Sequence, residues 1–254
     1  MQRCLKPKNF GTVVSRQIHS FTDASSTGYG QVTYLRMENE RGDIHSAFLM
    51  GKACVAPVKT MTIPRLELTA ATVSVQVGEM IARELDEPVE SKIFWTDSTT
   101  VLKYLHNDKR RFHVFVANRV QTIRDVTHPH QWRYVESKCN PADDVSRGLS
   151  GHALIEQHYW ITGPKFFWLP ESEWAQLPCD LDNISMDNPE VKKIQVHSMD
   201  VNDSTNFLMR LTRFSDWHQL KRSIAWILCL KPKQGINKDG ANRARQATNV
   251  EVKP

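Results

Sequence analysis

Lys92-Ile93-Phe94-Trp95-Thr96-Asp97-Ser98-Thr99 is an apolar run closed by an acid and a helix-capping residue. Ile93, Phe94 and Trp95 predict a short strand over 92–96. Ser98 can cap the helix that follows, with Val101, Leu102 and Leu105 facing inward. The run is reached through the clearest helix of the chain, 64–85, where Leu66, Ala70, Val73, Val77, Ile81 and Leu85 recur at steps of three and four. Thr62 can cap it, Pro64 suits its first turn, and Pro88 marks its exit. A strand entered through a helix lies parallel to a neighbour in its sheet, so this stretch decides for an α/β fold.

Upstream, 15–23 reads as a strand followed by a Ser/Gly turn cluster. The runs 29–37 and 44–55 read as two more strands, joined by the polar loop Glu38-Asn39-Glu40-Arg41-Gly42-Asp43. Downstream, 115–126 is helical, 132–135 is a final short strand, and 140–147 starts a helix or turn. The order β-β-β-α-β-α-α-β-α implies three antiparallel strands extended by two parallel ones, a mixed five-stranded sheet covered by helices.

Four carboxylates sit at the ends of these elements. Asp23 ends the first strand, Glu67 lies in the first turn of the long helix, Asp97 ends the fourth strand, and Asp143 follows the fifth. Ligands of open α/β sheets collect outside the carboxyl ends of strands, where Asp23 and Asp97 are neighbours if their strands pair in parallel. Each acid taken alone also has a plain structural role, as a turn residue, a cap or a helix-dipole partner. Together on one sheet edge they repel, and a divalent cation relieves that conflict. Hard oxygen donors suit Mg²⁺ or Mn²⁺, and two such ions support phosphodiester hydrolysis.

Composition is that of a globular chain: 254 residues, 40% hydrophobic and 24% charged. No stretch approaches the ~18 consecutive apolar residues of a membrane span. The start, Met1-Gln2-Arg3-Cys4-Leu5-Lys6, lacks the apolar core of a secretory signal. Five scattered cysteines without C-x-x-C argue against a disulfide framework and fit a reducing compartment, so an intracellular site, cytoplasm or nucleus, is expected. The net charge of +5 hides an asymmetry: 20 Lys/Arg against 16 Asp/Glu over 1–150, 3 against 9 over 156–203, and 10 against 3 over 204–254. The expected organisation is a leader at 1–14, a catalytic-type domain at 15–150, a Trp-containing acidic linker at 151–204, an amphipathic helix at 205–230 and a basic disordered tail at 231–254.

Phe21-Thr22-Asp23-Ala24-Ser25 with Gly28-Tyr29-Gly30 resembles the opening of a ribonuclease H-like domain. Four further stretches are, in combination, similar to the polyprotein of BEL/Pao-type LTR retrotransposons: Thr62-Ile63-Pro64-Arg65-Leu66-Glu67-Leu68, Trp95-Thr96-Asp97-Ser98-Thr99, Phe115-Val116-Ala117-Asn118-Arg119-Val120, and Asn140-Pro141-Ala142-Asp143 through Ser146-Arg147-Gly148. The resemblance covers about 15–150, and the segment 208–230 resembles the linker before an integrase zinc-binding region. It implies a ribonuclease H-like mixed five-stranded sheet with a mostly helical or disordered C-terminal extension. It implies cleavage of the RNA strand of RNA–DNA hybrids, with Asp23, Glu67, Asp97 and Asp143 as the acidic, metal-holding set and Asp144 as a near alternative to Asp143. It also implies that the chain is a fragment, with the reverse transcriptase and integrase parts of one polyprotein as partners.

One feature departs from many cellular ribonucleases H, which carry a His in a loop after the fifth strand. Here that loop, Glu136-Ser137-Lys138-Cys139, offers none, and His128 and His130 read as a surface turn. Lys109, Arg110, Arg111, Arg119 and Arg124, with Phe112 among them, are candidate contacts for the phosphates of a hybrid or other nucleic acid, or else a solvated helix face. Two other functions remain open. One is a catalytically silent nucleic-acid-binding or structural module. The other is an aspartic peptidase, since this region of related polyproteins is labelled a Pao retrotransposon peptidase; Asp97-Ser98-Thr99 lacks the glycine of a peptidase loop.

Overall fold

The computed structural model describes residues 5–156, 159–178, 181, 183–193, 220–221 and 224–225. Three long strands open it: β1 Val13–Ala24, β2 Gly28–Asn39 and β3 Ile44–Val55. Helix α1, Ile63–Glu84, leads to β4, Ser91–Thr96. Helices α2, Thr99–His106, and α3, Val114–Arg124, lead to β5, Trp132–Tyr134, and α4, Ala142–Arg147, follows. Two short helices, α5 Gly151–Glu156 and α6 Tyr159–Thr162, come next.

The strands form one sheet in the order β3-β2-β1-β4-β5. Pairing of β1 with β2 and of β2 with β3 is antiparallel. Pairing of β1 with β4 and of β4 with β5 is parallel, as the helical crossovers require. This is the expected mixed five-stranded sheet, and β1 stands at its centre.

Successive strand residues face opposite sides of a sheet, and β4 shows what that does here. Phe94 packs with Leu68, Ala71 and Val75 of α1, with Val101 and Leu102 of α2, and with Val116, Val120 and Ile123 of α3. Trp95, the next residue, packs with Phe21, Val32, Tyr34, Ala142, Phe167 and Trp174 on the other side. One step along β4 therefore contributes to two separate cores. The inward face of α1 is wider than the predicted stripe, because Leu68, Ala71 and Val75 are buried as well as Leu66, Ala70, Val77 and Ile81. The helix is wedged between the sheet and α3.

Residues beyond 150 differ most from the sequence expectation. Instead of a linker, 159–178 lies on the second face of the sheet, with Phe167 fully buried and Trp174 nearly so. Buried Arg36 of β2 fastens this layer: its Nε donates to the Phe167 carbonyl at 3.0 Å, and its guanidinium lies 5.4 Å from the Trp174 ring centroid. The Tyr34 hydroxyl donates to the Trp160 carbonyl at 2.8 Å. A chain rich in Trp and Phe has this use when one sheet face is still uncovered. The first of two compact units spans Met1–Ile194, the second Gln195–Pro254. In the second, Leu220, Lys221, Ile224 and Ala225 are helical; the rest of the expected helix at 205–230 and the tail at 231–254 lie outside the described residues.

Candidate active site

Parallel pairing of β1 and β4 sets Phe21 beside Trp95 and Thr22 beside Thr96. The next residues along are Asp23 and Asp97, so both acids leave the sheet at one edge. The Thr22 hydroxyl donates to the Trp95 carbonyl at 3.2 Å and locks this register. Below it, the Trp95 indole donates to Nδ1 of buried His19 at 3.0 Å. The other ring nitrogen of His19 faces the Gln17 amide oxygen at 3.2 Å.

Each acid has its own partner. Ser146 Oγ donates to Asp23 at 2.5 Å. Ser98 Oγ donates to Glu67 at 2.6 Å while accepting from the Val101 amide, so one hydroxyl both caps α2 and holds an acid. Ser137 Oγ donates to Asp97 at 2.5 Å. Arg147 pairs with Asp143 at 2.9 Å across one turn of α4. Asp144 turns away, its carboxylate accepting from the Tyr159 hydroxyl. Helix α1 begins at Ile63, which puts Glu67 just past its first turn, and Thr62 makes no side-chain cap bond.

The acids feel one another. Burial pushes Asp23 up to about 6, and the charges of Asp97 and Asp143 add to the rise against the opposing Ser146 bond. Glu67 is raised by burial first, with Asp97 and Asp23 adding. Burial also raises Asp143, and the nearby Asp144 and Asp97 carboxylates add to this against the Arg147 charge. The expected convergence is therefore electrostatic rather than closed. Among the described residues, no group of three or more His, Cys, Asp or Glu is positioned to hold a metal ion. Three hydroxyls and a guanidinium each hold one acid. The donor set still fits a hard divalent cation: it is all carboxylate, and a cation would stabilise the charge that burial and repulsion now oppose.

The structure explains the motif after β5. Asn140 Nδ2 donates to the Thr22 carbonyl at the end of β1 at 3.0 Å, and its Oδ1 accepts from the Ala142 amide. Ser146 and Arg147 reach two of the acids. Two glycines of β2 let α4 come this close. A Cβ on Gly28 would stand 2.9 Å from the Ser146 carbonyl, and one on Gly30 would stand 2.5 Å from Val145 Cγ1.

The basic candidates separate. Lys109, Arg110 and Arg111 are exposed on the α2–α3 loop, which Asn107 shapes through bonds to the backbone of Arg110. Arg119 lies 3.6 Å from the Phe115 ring centroid and donates to Thr69. Arg124 is consumed by the fold: it donates to the Leu105 and Asn107 carbonyls and pairs with Asp108, closing the end of α2. Phe112 is buried beside Tyr104 rather than interleaved with the basic residues. His128 and His130 stack on an exposed turn, as expected. Sequence reasoning missed Arg65, whose guanidinium makes a bidentate pair with Glu190 at 2.6 and 3.0 Å and lies 5.0 Å from the Phe115 ring centroid.

Among the described residues no helix is long and apolar enough to cross a membrane. Solved structures similar to this chain include ribonuclease H1 from the halophilic archaeon Halobacterium salinarum, at 12% identity over 56% of this chain and 98% of that one, with a TM-score of 0.35. Another is LC11 ribonuclease H1 in complex with an RNA/DNA hybrid, at 12% identity over 55% and 99%, with a TM-score of 0.37; this enzyme was isolated from compost by a metagenomic approach. No curated protein matches the chain. A family model described as Pao retrotransposon-like RNaseH-like domain matches residues 1–98, a span that holds β1 to β4 and Asp23, Glu67 and Asp97. Residues 1–98 are thus similar to the Pao retrotransposon-like RNaseH-like domain, and they supply four of the five strands of the sheet.

Proposed function

We propose that the chain is a metal-dependent endoribonuclease of ribonuclease H type that cleaves the RNA strand of RNA–DNA hybrids with Mg²⁺ or Mn²⁺. The observation that carries this is the parallel register of β1 and β4, which puts Asp23 and Asp97 at one sheet edge. Asp23, Glu67, Asp97 and Asp143 would hold the metal. Two divalent ions, when bound, activate a water and stabilise the leaving oxygen of a phosphodiester. The protein's own groups prepare that edge. Ser146, Ser98 and Ser137 each donate to one oxygen of Asp23, Glu67 and Asp97 and so orient these carboxylates. Asp23, raised to about 6, is ionised at neutral pH and takes up a proton in mild acid. Exposed Lys109, Arg110 and Arg111, with Arg119, supply the phosphate contacts; Arg124 is committed to α2 and has no part in them. Within this proposal, the chain acts inside the cell beside the reverse transcriptase and integrase parts of one polyprotein.

The second reading, a catalytically silent nucleic-acid-binding module, is favoured by one observation. No three acids stand together as a ready ligand set among the described residues. One experiment separates the two. The full chain is incubated with a labelled RNA–DNA hybrid in Mg²⁺ and in Mn²⁺, beside Asp97→Asn. Metal-dependent cutting of the RNA strand, reduced at least about a hundredfold in Asp97→Asn, establishes the nuclease. Hybrid binding without cutting in either metal establishes the module.

A further inference from the structure

The stretch 183–193, with two acids (Asp187, Glu190) and two lysines (Lys192, Lys193), is laid against the loop that carries Lys109, Arg110 and Arg111. Val191 forms a β-bridge with Phe112. The His113 amide donates to the Glu190 carbonyl at 2.9 Å, and the Lys192 amide donates to the Arg111 carbonyl at 2.8 Å. Ile184 and Val191 are buried with α2 and α3. The segment thus meets, through one isolated β-bridge, the same loop that carries Lys109, Arg110 and Arg111. Glu190 is its one acid on Arg65: the Glu190 side chain is 7% exposed and the Arg65 side chain 36%. Arg65 stands two residues before Glu67 on α1, and the Tyr104 hydroxyl, facing Asn188 at 3.4 Å, feels the charges of Glu190, Arg65 and Glu67 alike.

A bidentate carboxylate on a guanidinium has the geometry that a phosphate would take in its place. Arg65 also has the ring of Phe115 beside it, which Arg119 covers at 3.6 Å, so two guanidinium groups and one aromatic ring form a surface on α1 and α3. We propose that residues 183–193 are an autoinhibitory strap, in which Glu190 occupies Arg65 as an internal substitute for a backbone phosphate, and that nucleic-acid binding displaces it. This rests on the nucleic-acid reading above. The strap is held by the bridge with its two main-chain bonds, by the burial of Ile184 and Val191, by the Tyr104–Asn188 contact and by one ion pair, and a phosphate on Arg65 replaces the ion pair.

The test uses the full chain and a short RNA–DNA hybrid in Ca²⁺ buffer. Two measurements are made: hydrogen exchange at 113 and across 188–193 with and without hybrid, and hybrid affinity over a salt series for the natural chain and Glu190→Gln. Expected are lost protection of the Lys192 and His113 amides when hybrid binds, and tighter binding by Glu190→Gln at low salt. In the natural chain the ion pair competes with the phosphate, so Glu190→Gln should also change the dependence of log affinity on log salt, by up to about 0.9 for one phosphate contact. Hybrid binding with unchanged protection at 188–193, and equal affinity and slope in the two proteins, overturns the strap and leaves the nuclease or module reading standing. No hybrid binding by either protein overturns both. Should Glu190→Gln fail to fold, the exchange measurement on the natural chain decides alone.

Discussion

Ser146 on α4 donates its hydroxyl to Asp23 at the end of β1, 2.5 Å away and 123 residues distant in sequence. This bond is the main force holding down an acid that burial raises to about 6. It ties the ionisation of a strand-end carboxylate to the seating of a helix.

Ser146→Ala is therefore expected to raise Asp23 further. The sign follows from the bond, which favours the charged carboxylate, so its loss favours the protonated form. If cleavage needs ionised Asp23, the acidic limb of the rate–pH profile moves to higher pH in Ser146→Ala, while the rate well above pH 7 changes less. A parallel fall at every pH would show that Ser146 acts only by placing α4.

Burial holds buried His19 well below its ordinary value, and the charges of Arg36 and Arg133 act in the same direction. Its Nδ1 accepts from Trp95, so the native ring is neutral. The unfolded ring takes a proton near pH 6.5 and the native one does not. The stability this group contributes is thus complete above pH 6.5 and is lost as pH falls below it. Asp23 works in the opposite direction, since its folded value lies above its unfolded one: the protonated acid favours the fold below about pH 4, and that contribution is gone above about pH 6. His19→Gln should flatten the fall in Tm between pH 7 and pH 5 followed by circular dichroism. An unchanged slope would assign the acid sensitivity elsewhere.

Gly30→Ala should be costly. The added carbon would meet the Lys52 carbonyl at 2.4 Å and Val145 Cγ1 at 2.5 Å, and the first is backbone that cannot step aside cheaply. Overpacking of this kind costs about 2 kcal/mol or more, or roughly 4–8 °C in Tm for a chain of this size. Gly42→Ala is the control for backbone strain without contact, because Gly42 has φ 79° and nothing within 4 Å. Equal Tm losses in the two variants would remove close packing of α4 as the reason for the Gly28-Tyr29-Gly30 pattern.

The centre of the fold was legible because it follows from local signals and chain direction. A strand entered through a helix had to pair in parallel, and this alone brought Asp23 and Asp97 together. Ser98 could be read as a cap, and it is one. The rest was not legible, because its meaning depends on partners far along the chain. Phe167 becomes a core residue through Phe21, Tyr34 and Trp95, all far back along the chain, and Arg65 meets Glu190 across 125 residues. Arg124 shows the same limit from the other side. Its charge and position suggested phosphate, yet three nearby carbonyl and carboxylate groups at the end of α2 claim it. Periodicity reports which face is buried, not what covers it.

The sheet changes direction at β1, and that switch shapes the acidic edge. On the antiparallel side, β2 starts where β1 ends, with Gly30 opposite Asp23, so that half of the sheet presents a strand beginning there and no strand-end acid. The remaining acids come from helices: Glu67 from α1, whose Leu68 and Ala71 pack with Phe94, and Asp143 from α4, whose Ala142 packs with Trp95. Phe94 and Trp95 face opposite ways, so the two helical acids approach from the two sides of the sheet. Any group seated at this edge is therefore flanked by a helix on each side of the sheet, one anchored through Phe94 and the other through Trp95.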